Sequence, residues 1–454
     1  MHHTLFNIQN IHFSDIFFTF APYKNIDTMN HIEEQPVLDR FPLGRQSFED
    51  LITSKAIYVD KTNYVYMLTH SSAKSYFLAR PRRFGKSLMC NTLRAYFEGK
   101  KELFEGLKIY QWEKDWVKYP ILYLDFVSGD YSSGSMMLIE KINYALNSYE
   151  EKNGIQFNID FIKDKLEGKQ EAEKSVALQE SRKISLRFEY DLQSVYEKTG
   201  LKTVIIVDEY DNPLINSKDL PTDKAIYRGF FSVLKSSDQY IRFAFLTGVT
   251  KFAKTSVFSG TNQPEDISCD ATYSAICGIT HKEVRDNFTE YIQTFADKKK
   301  ITYDQMVSKL ITWYDSYLFH EEGTKVFNPV SLFTALKKKD LQNYWYQTGT
   351  PTFLMQRLRS TNYDYRLLDN DVKYLKDRLI NYKDDDLNME LIPLLYYSGY
   401  LTIKSFEEDC DIEEYTLGFP NNEVKISFFN YITRIGVNFS SAEKNITEWI
   451  AMEG

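Results

Sequence analysis

Four continuous apolar runs constrain the fold of this 454-residue chain more than any other feature. The runs lie at residues 75–79, 120–126, 203–207 and 241–246, and helical patterns separate them. None shows the alternation of apolar and polar side chains that is typical of a strand with one face in water. Strands of this kind belong to parallel sheets that helices cover on both faces. The sequence therefore predicts an α/β fold for the first large part of the chain.

The rest of the chain divides by pattern around this part. The stretch before Met29 lacks clear periodicity and turn chemistry, and ordered sequence begins near Phe41, so we expect residues 1–40 to be a flexible arm. Residues 41–285 contain the four runs and are predicted to form the α/β domain. Residues 286–435 are predicted to be a mainly helical domain with a small hairpin, for which a winged-helix-like arrangement is one candidate. Residues 436–454 are predicted to be a tail.

Composition excludes several classes of protein. The 55 Lys and Arg residues against 63 Asp and Glu give a formal charge of −8, which excludes a polycation that coats nucleic acid but leaves room for a local basic groove. Cys90, Cys269, Cys277 and Cys410 match no common zinc spacing, so we expect reduced thiols in a cytoplasmic protein. No apolar run approaches the length of a membrane span.

A Gly-Lys-Ser tripeptide follows the first apolar run and begins a helical pattern. Residues 80–87 fit the phosphate-loop pattern G-x-x-x-x-G-K-[ST], except that Arg80 replaces the first glycine. In this pattern backbone N–H groups surround the phosphates, the lysine reaches the β and γ oxygens, and the hydroxyl ligates Mg²⁺. A helix N-terminus at this point adds its dipole to the anion site. We predict that the phosphates contact Arg82, Arg83, Phe84, Gly85, Lys86, Ser87 and Leu88.

An acidic pair, Asp208 and Glu209, follows the third apolar run. Buried strands seldom end in two carboxylates for packing reasons alone, because carboxylates are costly to bury. In a phosphate-loop enzyme the first carboxylate holds the Mg²⁺ shell and the second activates the attacking water. We therefore predict Ser87 and Asp208 at the metal, and catalytic roles for Glu209, Lys86 and Thr247. Thr247 ends the fourth run, where its hydroxyl could lie near the γ-phosphate.

Other charged residues near these segments leave alternatives open. Arg80, Arg82 and Arg83 could neutralise phosphate charge, contact a partner subunit, or lie exposed. Lys251 is a candidate sensor of the γ-phosphate, and a solvated lysine is the alternative. We expect Asp211 to cap the turn that follows it rather than to bind metal.

Seven segments within residues 38–435 resemble the AAA-ATPase-like family, whose members are often joined to a PD-(D/E)XK nuclease domain. They are YVDKT (58–62), ARPRRFGKS (79–87), VDEYDNP (207–213), LTGVTKF (246–252), YWYQTGTPTFL (344–354), YYSGYLTIK (396–404) and YTLGFPNNEV (415–424). The family also carries arginine at the position of Arg80. The resemblance implies a P-loop ATPase core that binds ATP and Mg²⁺, followed by a helical region and a nuclease domain.

The nuclease implied by the resemblance needs an Asp and a Glu-x-Lys on adjacent strands to hold Mg²⁺. Residues 430–454 contain Glu443 and Glu448 but not that pattern. We therefore expect no nuclease activity from this chain, and DNA or a nuclease as partners only through the family.

These observations predict a cytoplasmic, Mg²⁺-dependent ATPase with no membrane segment. They leave its oligomeric state open. Two alternatives remain from the residues alone. One is a nucleotide-dependent binding switch with little turnover, and the other is a truncated, inactive remnant.

Overall fold

The computed structural model describes residues 40–158, 176–251, 257–258, 264–345, 354, 358–359, 361, 363–382 and 390–434. The strands are Ser75–Ala79 (β1), Ile121–Asp125 (β2), Thr203–Asp208 (β3), Ile241–Gly248 (β4), Glu265–Asp266 (β5), Ile279–Thr280 (β6), Val326–Phe327 (β7), Val372–Leu375 (β8), Thr402–Asp409 (β9) and Ile412–Gly418 (β10). The predicted tail and, apart from Arg40, the predicted arm lie outside the described residues.

The α-helices follow the same numbering along the chain. They are Phe48–Thr53 (α1), Thr62–His70 (α2), Lys86–Phe97 (α3), Lys108–Trp112 (α4), Met136–Asn153 (α5), Val176–Thr199 (α6), Asn212–Ile215 (α7), Leu220–Ser236 (α8), His281–Lys299 (α9), Tyr303–Tyr314 (α10), Pro329–Lys338 (α11), Lys376–Ile380 (α12), Leu391–Tyr397 (α13) and Asn422–Arg434 (α14). Short 3₁₀ helices lie at Lys101–Phe104, Tyr131–Ser133, Asp238–Tyr240 and Tyr365–Asn370.

A five-stranded parallel sheet in the order β2-β3-β4-β1-β5 forms the centre of the fold. The four predicted runs are its long strands. β1, β3 and β4 are buried almost throughout because helices cover both faces. The edge strand β2 differs from this expectation, since only Leu122 and Leu124 in it are buried. The register pairs Ala79 with Gly248 and Asp125 with Asp208. The carboxyl ends of β1, β3 and β4 therefore meet at one edge of the sheet, as in other parallel sheets that bind ligands there.

The two faces of β3 carry different helices. The Tyr149 hydroxyl of α5 shares a hydrogen bond with Thr203, 2.6 Å away, and α6 and α8 pack beside α5 through the stacked rings of Phe188 and Phe230. Side chains five positions apart on a strand point to opposite faces. Asp208 accordingly faces the other layer, where α3 begins. The α/β fold with helices on both faces is thus confirmed.

The C-terminal part of the chain shares its core with the sheet. Trp345, Tyr400 and Phe428 belong to the same buried apolar cluster as β1 and β3. A second, smaller cluster joins α9, α10 and α11. The boundary predicted at residue 285 falls within α9, and the division into domains stays a prediction.

The C-terminal part of the chain contains a three-stranded antiparallel sheet. The predicted hairpin is confirmed as β9 and β10, and β8 adds a third antiparallel strand beside β10.

The described helices include none with the length and apolar character that a membrane crossing requires.

The apolar segment at residues 56–59 has the composition of a short strand but does not form one. In this segment the N–H of Ile57 donates to Arg40 and that of Ala56 to Leu51, so its hydrogen bonds are local and join no sheet. Ile57 and Val59 instead pack against the cluster of α9 to α11.

Candidate functional site

The turn between β1 and α3 carries the Gly-Lys-Ser tripeptide. Gly85 is the N-cap of α3 with a φ of +101°, in the left-handed region that favours glycine. Lys86 and Ser87 occupy the first turn of the helix, so its unpaired N–H groups and positive dipole end face the cleft. This is the strand, turn and helix that the sequence predicted, with the geometry of an anion site.

Lys86 is buried at the base of this turn, with 4% of its surface exposed. Its ammonium donates to the carbonyl oxygens of Arg80 and Pro81 at 3.1 and 3.3 Å. It also lies 3.2 Å from a carboxylate oxygen of Glu209. The phosphate-loop lysine and the proposed catalytic carboxylate therefore meet within one cleft.

The acidic pair lies directly opposite, at the end of β3. Burial raises the pKa of the Asp208 carboxyl above its ordinary value, and hydrogen bonds from Ser87 and Thr247 oppose that shift. The Thr247 hydroxyl donates to Asp208 at 2.7 Å. Glu209 has a φ of +54°, uncommon for a residue with a side chain, where the chain leaves the strand toward Lys86. Residues from α3, β3 and β4 thus converge on one carboxylate.

The residues present fit a magnesium ion. Ser87 and Asp208 meet at this point, and hydroxyl and carboxylate oxygens are ligands that Mg²⁺ prefers. Within the described part of the chain, no group of three or more His, Cys, Asp and Glu side chains could hold a metal. A Mg²⁺ ion here would therefore take its other ligands from phosphates and water, as it does in nucleotide sites.

Asp211 does not cap the turn that follows it, and this expectation is wrong. Its carboxylate accepts hydrogen bonds from the N–H groups of Val249 and Thr250 and from the Thr250 hydroxyl, at 2.7 to 3.2 Å. The helix after Asp211 has no side-chain cap. A buried carboxylate needs hydrogen-bond donors. The end of β4 supplies three donors to Asp211, whereas the turn that follows Asp211 supplies none. Asp211 therefore ties the loop after β3 to the end of β4.

Arg80 is not exposed. Only 1% of its surface is accessible to solvent, and its side chain lies beneath the turn. Its guanidinium donates to the carbonyls of Ala79, Ser268 and Tyr273, and it stacks on the ring of Phe319 at 4.1 Å. Burial lowers the pKa of this guanidinium. The residue that replaces the first glycine thus holds the turn from below instead of facing the cleft.

Lys251 is likewise not a solvated side chain. Its ammonium lies 2.9 Å from an Asp266 carboxylate oxygen and donates to the carbonyl of Ile380 at 2.8 Å. These contacts join the end of β4 to the edge strand β5 and to α12.

A cavity of about 420 Å³ opens beside the turn. Of the predicted site residues it is lined by Arg82, Arg83, Gly85, Lys86, Ser87, Leu88 and Glu209. Phe84, Asp208 and Thr247 do not line it. Phe84 points away and packs edge-on against the rings of Tyr317 and Phe319.

The other wall of the cavity was not predicted from the sequence. It consists of residues 42–46 and of Pro329, Val330 and Phe333 at the start of α11. The sequence did contain a signal for this helix start, since Asn328 before Pro329 is a typical N-cap, and its side chain accepts from the N–H groups of Val330 and Ser331. Nothing in the local sequence indicates that this helix start faces the turn.

Comparisons with known proteins agree with this geometry. A family model described as predicted AAA-ATPase matches residues 42–258, which include the turn, the acidic pair and the end of β4. An "Uncharacterized protein in vnfD 5'region" of Azotobacter chroococcum mcd 1 is 33% identical over 395 residues, which cover 86% of this chain and 69% of the relative. The chain therefore belongs to the AAA-ATPase-like family, which implies nucleotide binding.

Proposed function

We propose that this protein is an ATPase that binds ATP with Mg²⁺ in the cleft between the turn and the acidic pair. The observation that carries the proposal is the meeting of Lys86, Ser87, Asp208 and Glu209 at one edge of the sheet. The N-terminal N–H groups of α3 and the Lys86 ammonium bind the β- and γ-phosphates. Ser87 and Asp208 hold the metal, which supplies charge neutralisation when bound.

Glu209 orients and deprotonates the attacking water. Its carboxylate lies within 3.2 Å of the Lys86 ammonium, so the base and the phosphate ligand occupy the same small space. Thr247 positions the Asp208 carboxylate through the 2.7 Å hydrogen bond, and we assign its catalytic contribution to that contact. General-base catalysis of this kind contributes about 10² to 10⁴ in rate.

The first test is Mg²⁺-dependent ATP turnover by the wild-type protein, Lys86→Ala and Glu209→Gln. Lys86→Ala should abolish ATP binding, while Glu209→Gln should bind ATP and lose turnover by about 10²-fold or more. Lys235→Ala and Glu102→Gln are matched controls, because both side chains are exposed on other elements. Turnover that survives both site substitutions would contradict the assignment.

A nucleotide-dependent switch is the second candidate function. The 3.2 Å ion pair between Lys86 and Glu209 favours it, because a carboxylate held by a lysine is a poor base until the pair separates. Tight ATP binding by the wild-type protein without multiple turnover would identify the switch.

Coupling to DNA or to a nuclease partner is a finer proposal that rests on the family resemblance. ATP turnover measured with and without duplex and single-stranded DNA tests it directly. Stimulation that depends on Lys86 would support the coupling, and unchanged turnover with both forms of DNA would oppose a DNA partner. Sedimentation with and without ATP would test for an oligomer.

A further inference from the structure

The phosphate-binding turn contains a strained residue. Arg83 has a φ of +70°, a left-handed conformation that costs a residue with a side chain free energy. Such a conformation persists only where neighbouring contacts fix the chain on both sides. The contacts that flank Arg83 therefore decide the shape of the turn that lines the cavity.

On the C-terminal side, Phe84 is fixed at its backbone and at its ring. Its carbonyl accepts a hydrogen bond from the N–H of Gly278 at 3.1 Å. Its ring, 1% exposed, packs edge-on against Tyr317 at 4.8 Å and Phe319 at 5.7 Å between centroids. The turn cannot relax in this direction without breaking both contacts.

On the N-terminal side, Arg82 is fixed by a tryptophan from the C-terminal part of the chain. The indole N–H of Trp345 donates to the Arg82 carbonyl at 3.3 Å, across 263 residues of sequence. Trp345 is fully buried, and its ring packs on Tyr400 at 5.0 Å. One partly buried hydrogen bond thus holds the carbonyl that precedes the strained residue.

Trp345 is in turn held by a buried carboxylate of α14. A Glu423 oxygen accepts hydrogen bonds from the backbone N–H groups of Tyr344 and Trp345, the latter at 2.7 Å. Glu423 is fully buried, so these two hydrogen bonds form away from solvent. A carboxylate that accepts two such bonds fixes the backbone that carries the indole.

We propose that Trp345 is a positioning residue for the phosphate-binding turn and that Glu423 positions Trp345, so that ATP binding is coupled to the packing of α14. This inference rests on the proposed binding of ATP in the cleft. Loss of the indole hydrogen bond releases the Arg82 carbonyl and lowers the population of the turn that binds phosphates. ATP affinity falls by the same factor as that population.

The first experiment compares ATP dissociation constants of the wild-type protein and Trp345→Phe. Phenylalanine keeps an aromatic ring against Tyr400 and removes the N–H donor, so we expect the Kd to rise about fivefold to tenfold. Trp313→Phe is the matched control, because Trp313 in α10 packs only at the surface of the smaller cluster, and it should bind like wild type. A Kd of Trp345→Phe equal to that of the control would overturn the inference.

The second experiment uses Glu423, because a lost ring contact could also weaken the variant of Trp345. Glu423→Ala removes the acceptor and should raise the Kd as Trp345→Phe does. Glu423→Gln keeps an acceptor oxygen and should restore binding to within about twofold of wild type. The double variant that combines Trp345→Phe with Glu423→Ala should bind ATP no more weakly than Trp345→Phe alone. Both changes break the same series of contacts, which runs from Glu423 through Trp345 to Arg82. Additive losses would refute the assigned order of action.

A third readout follows from the reciprocity of coupled equilibria. ATP should slow amide hydrogen exchange in residues 422–434 of the wild-type protein, and this protection should shrink in Trp345→Phe. Equal protection in both proteins would contradict the coupling while the proposed ATP binding stood. Failure of the wild-type protein to bind ATP at all would overturn both.

Discussion

The two sides of the cleft are held in place by different parts of the molecule. On the acidic side, Asp208 and Asp211 are fixed by the neighbouring strand β4 through Thr247, Val249 and Thr250. On the basic side, the turn is fixed from below by Arg80 and from the C-terminal part of the chain. Adjacent strands of one sheet build the first arrangement, whereas contacts between distant segments build the second.

This difference has a functional meaning for a P-loop protein. The acidic side moves with the sheet, because its hydrogen bonds belong to the ends of two paired strands. The basic side can respond to the C-terminal part, since Phe319, Trp345 and the segment around Gly399 touch the turn directly. We expect changes in the C-terminal part to alter the turn between β1 and α3 before they alter Asp208 and Glu209.

The largest effect is expected on the acidic side, from Asp211→Ala. This change removes the carboxylate that accepts hydrogen bonds from three buried donors at Val249 and Thr250, and it should lower the free energy of unfolding by about 3 kcal/mol. Urea unfolding measures the loss. Thr250→Val removes only one of the three donors and should cost about 1 kcal/mol. Equal losses in the two variants would show that the carboxylate does not tie the loop to β4.

Arg80→Lys tests the support beneath the basic turn. A lysine ammonium cannot reach three carbonyls in the planar arrangement of the guanidinium, so we expect a loss of about 2 kcal/mol in the free energy of unfolding. The weakened support should also raise the Kd for ATP. Arg366→Lys, on an exposed pair with Asp364, should leave both quantities unchanged. Unchanged ATP affinity in Arg80→Lys would separate this arginine from the shape of the turn.

Gly399→Ala tests the contact between the C-terminal part and Pro81. A Cβ at Gly399 would lie 2.7 Å from the Pro81 Cβ, and its φ of +88° already disfavours alanine. Gly200→Ala is a matched control, with a φ of +70° and no atom within 4 Å of the added carbon. Both should lose about 1 kcal/mol from the backbone alone, and Gly399→Ala about 1 kcal/mol more. Only Gly399→Ala should weaken ATP binding, as a binding titration would show.

The smallest effect on ATP binding is expected away from the cleft, at Asp191 in α6. Burial and the neighbouring Glu150 carboxylate raise the pKa of Asp191 to about 9. The folded state then binds a proton that the unfolded state releases, so this group makes the wild-type protein less stable as the pH rises between about 4 and 9.

Asp191→Asn removes that titration and should raise the free energy of unfolding at neutral pH. Its advantage over wild type should grow from about pH 5 to about pH 8 in urea unfolding curves. The Kd for ATP should stay at the wild-type value, because Asp191 lies in a helix remote from the turn. A stabilisation that is independent of pH would contradict the raised pKa.

The sheet and the acidic side of the cleft could be predicted from the sequence, because the signals for them lie within a few neighbouring residues. An unbroken apolar run predicts a buried strand, and a polar residue that directly follows it must lie at the strand end, as Asp208 and Thr247 do. The Gly-Lys-Ser tripeptide is placed by the same logic, since it comes between β1 and α3. These residues come together because parallel strands end at the same edge.

The contacts that hold the basic turn in place could not be predicted from neighbouring residues. The hydrogen bond between Trp345 and Arg82 spans 263 residues, and the contact between Arg80 and Tyr273 spans 193. Periodicity and turn chemistry act over a few residues and carry no information about such pairs. β8 escaped prediction for another reason, because this short edge strand is only partly buried and carries no continuous apolar run.

The ion pair of Lys86 has a consequence for which ligands the cleft accepts. The ammonium already has three oxygen partners, so an incoming anion must exchange with the Glu209 carboxylate rather than bind to a free charge. The net gain from such an exchange is small for one anionic group and grows when several phosphates and a metal enter together. We therefore expect the cleft to bind sulfate and inorganic phosphate weakly, without any residue that repels them.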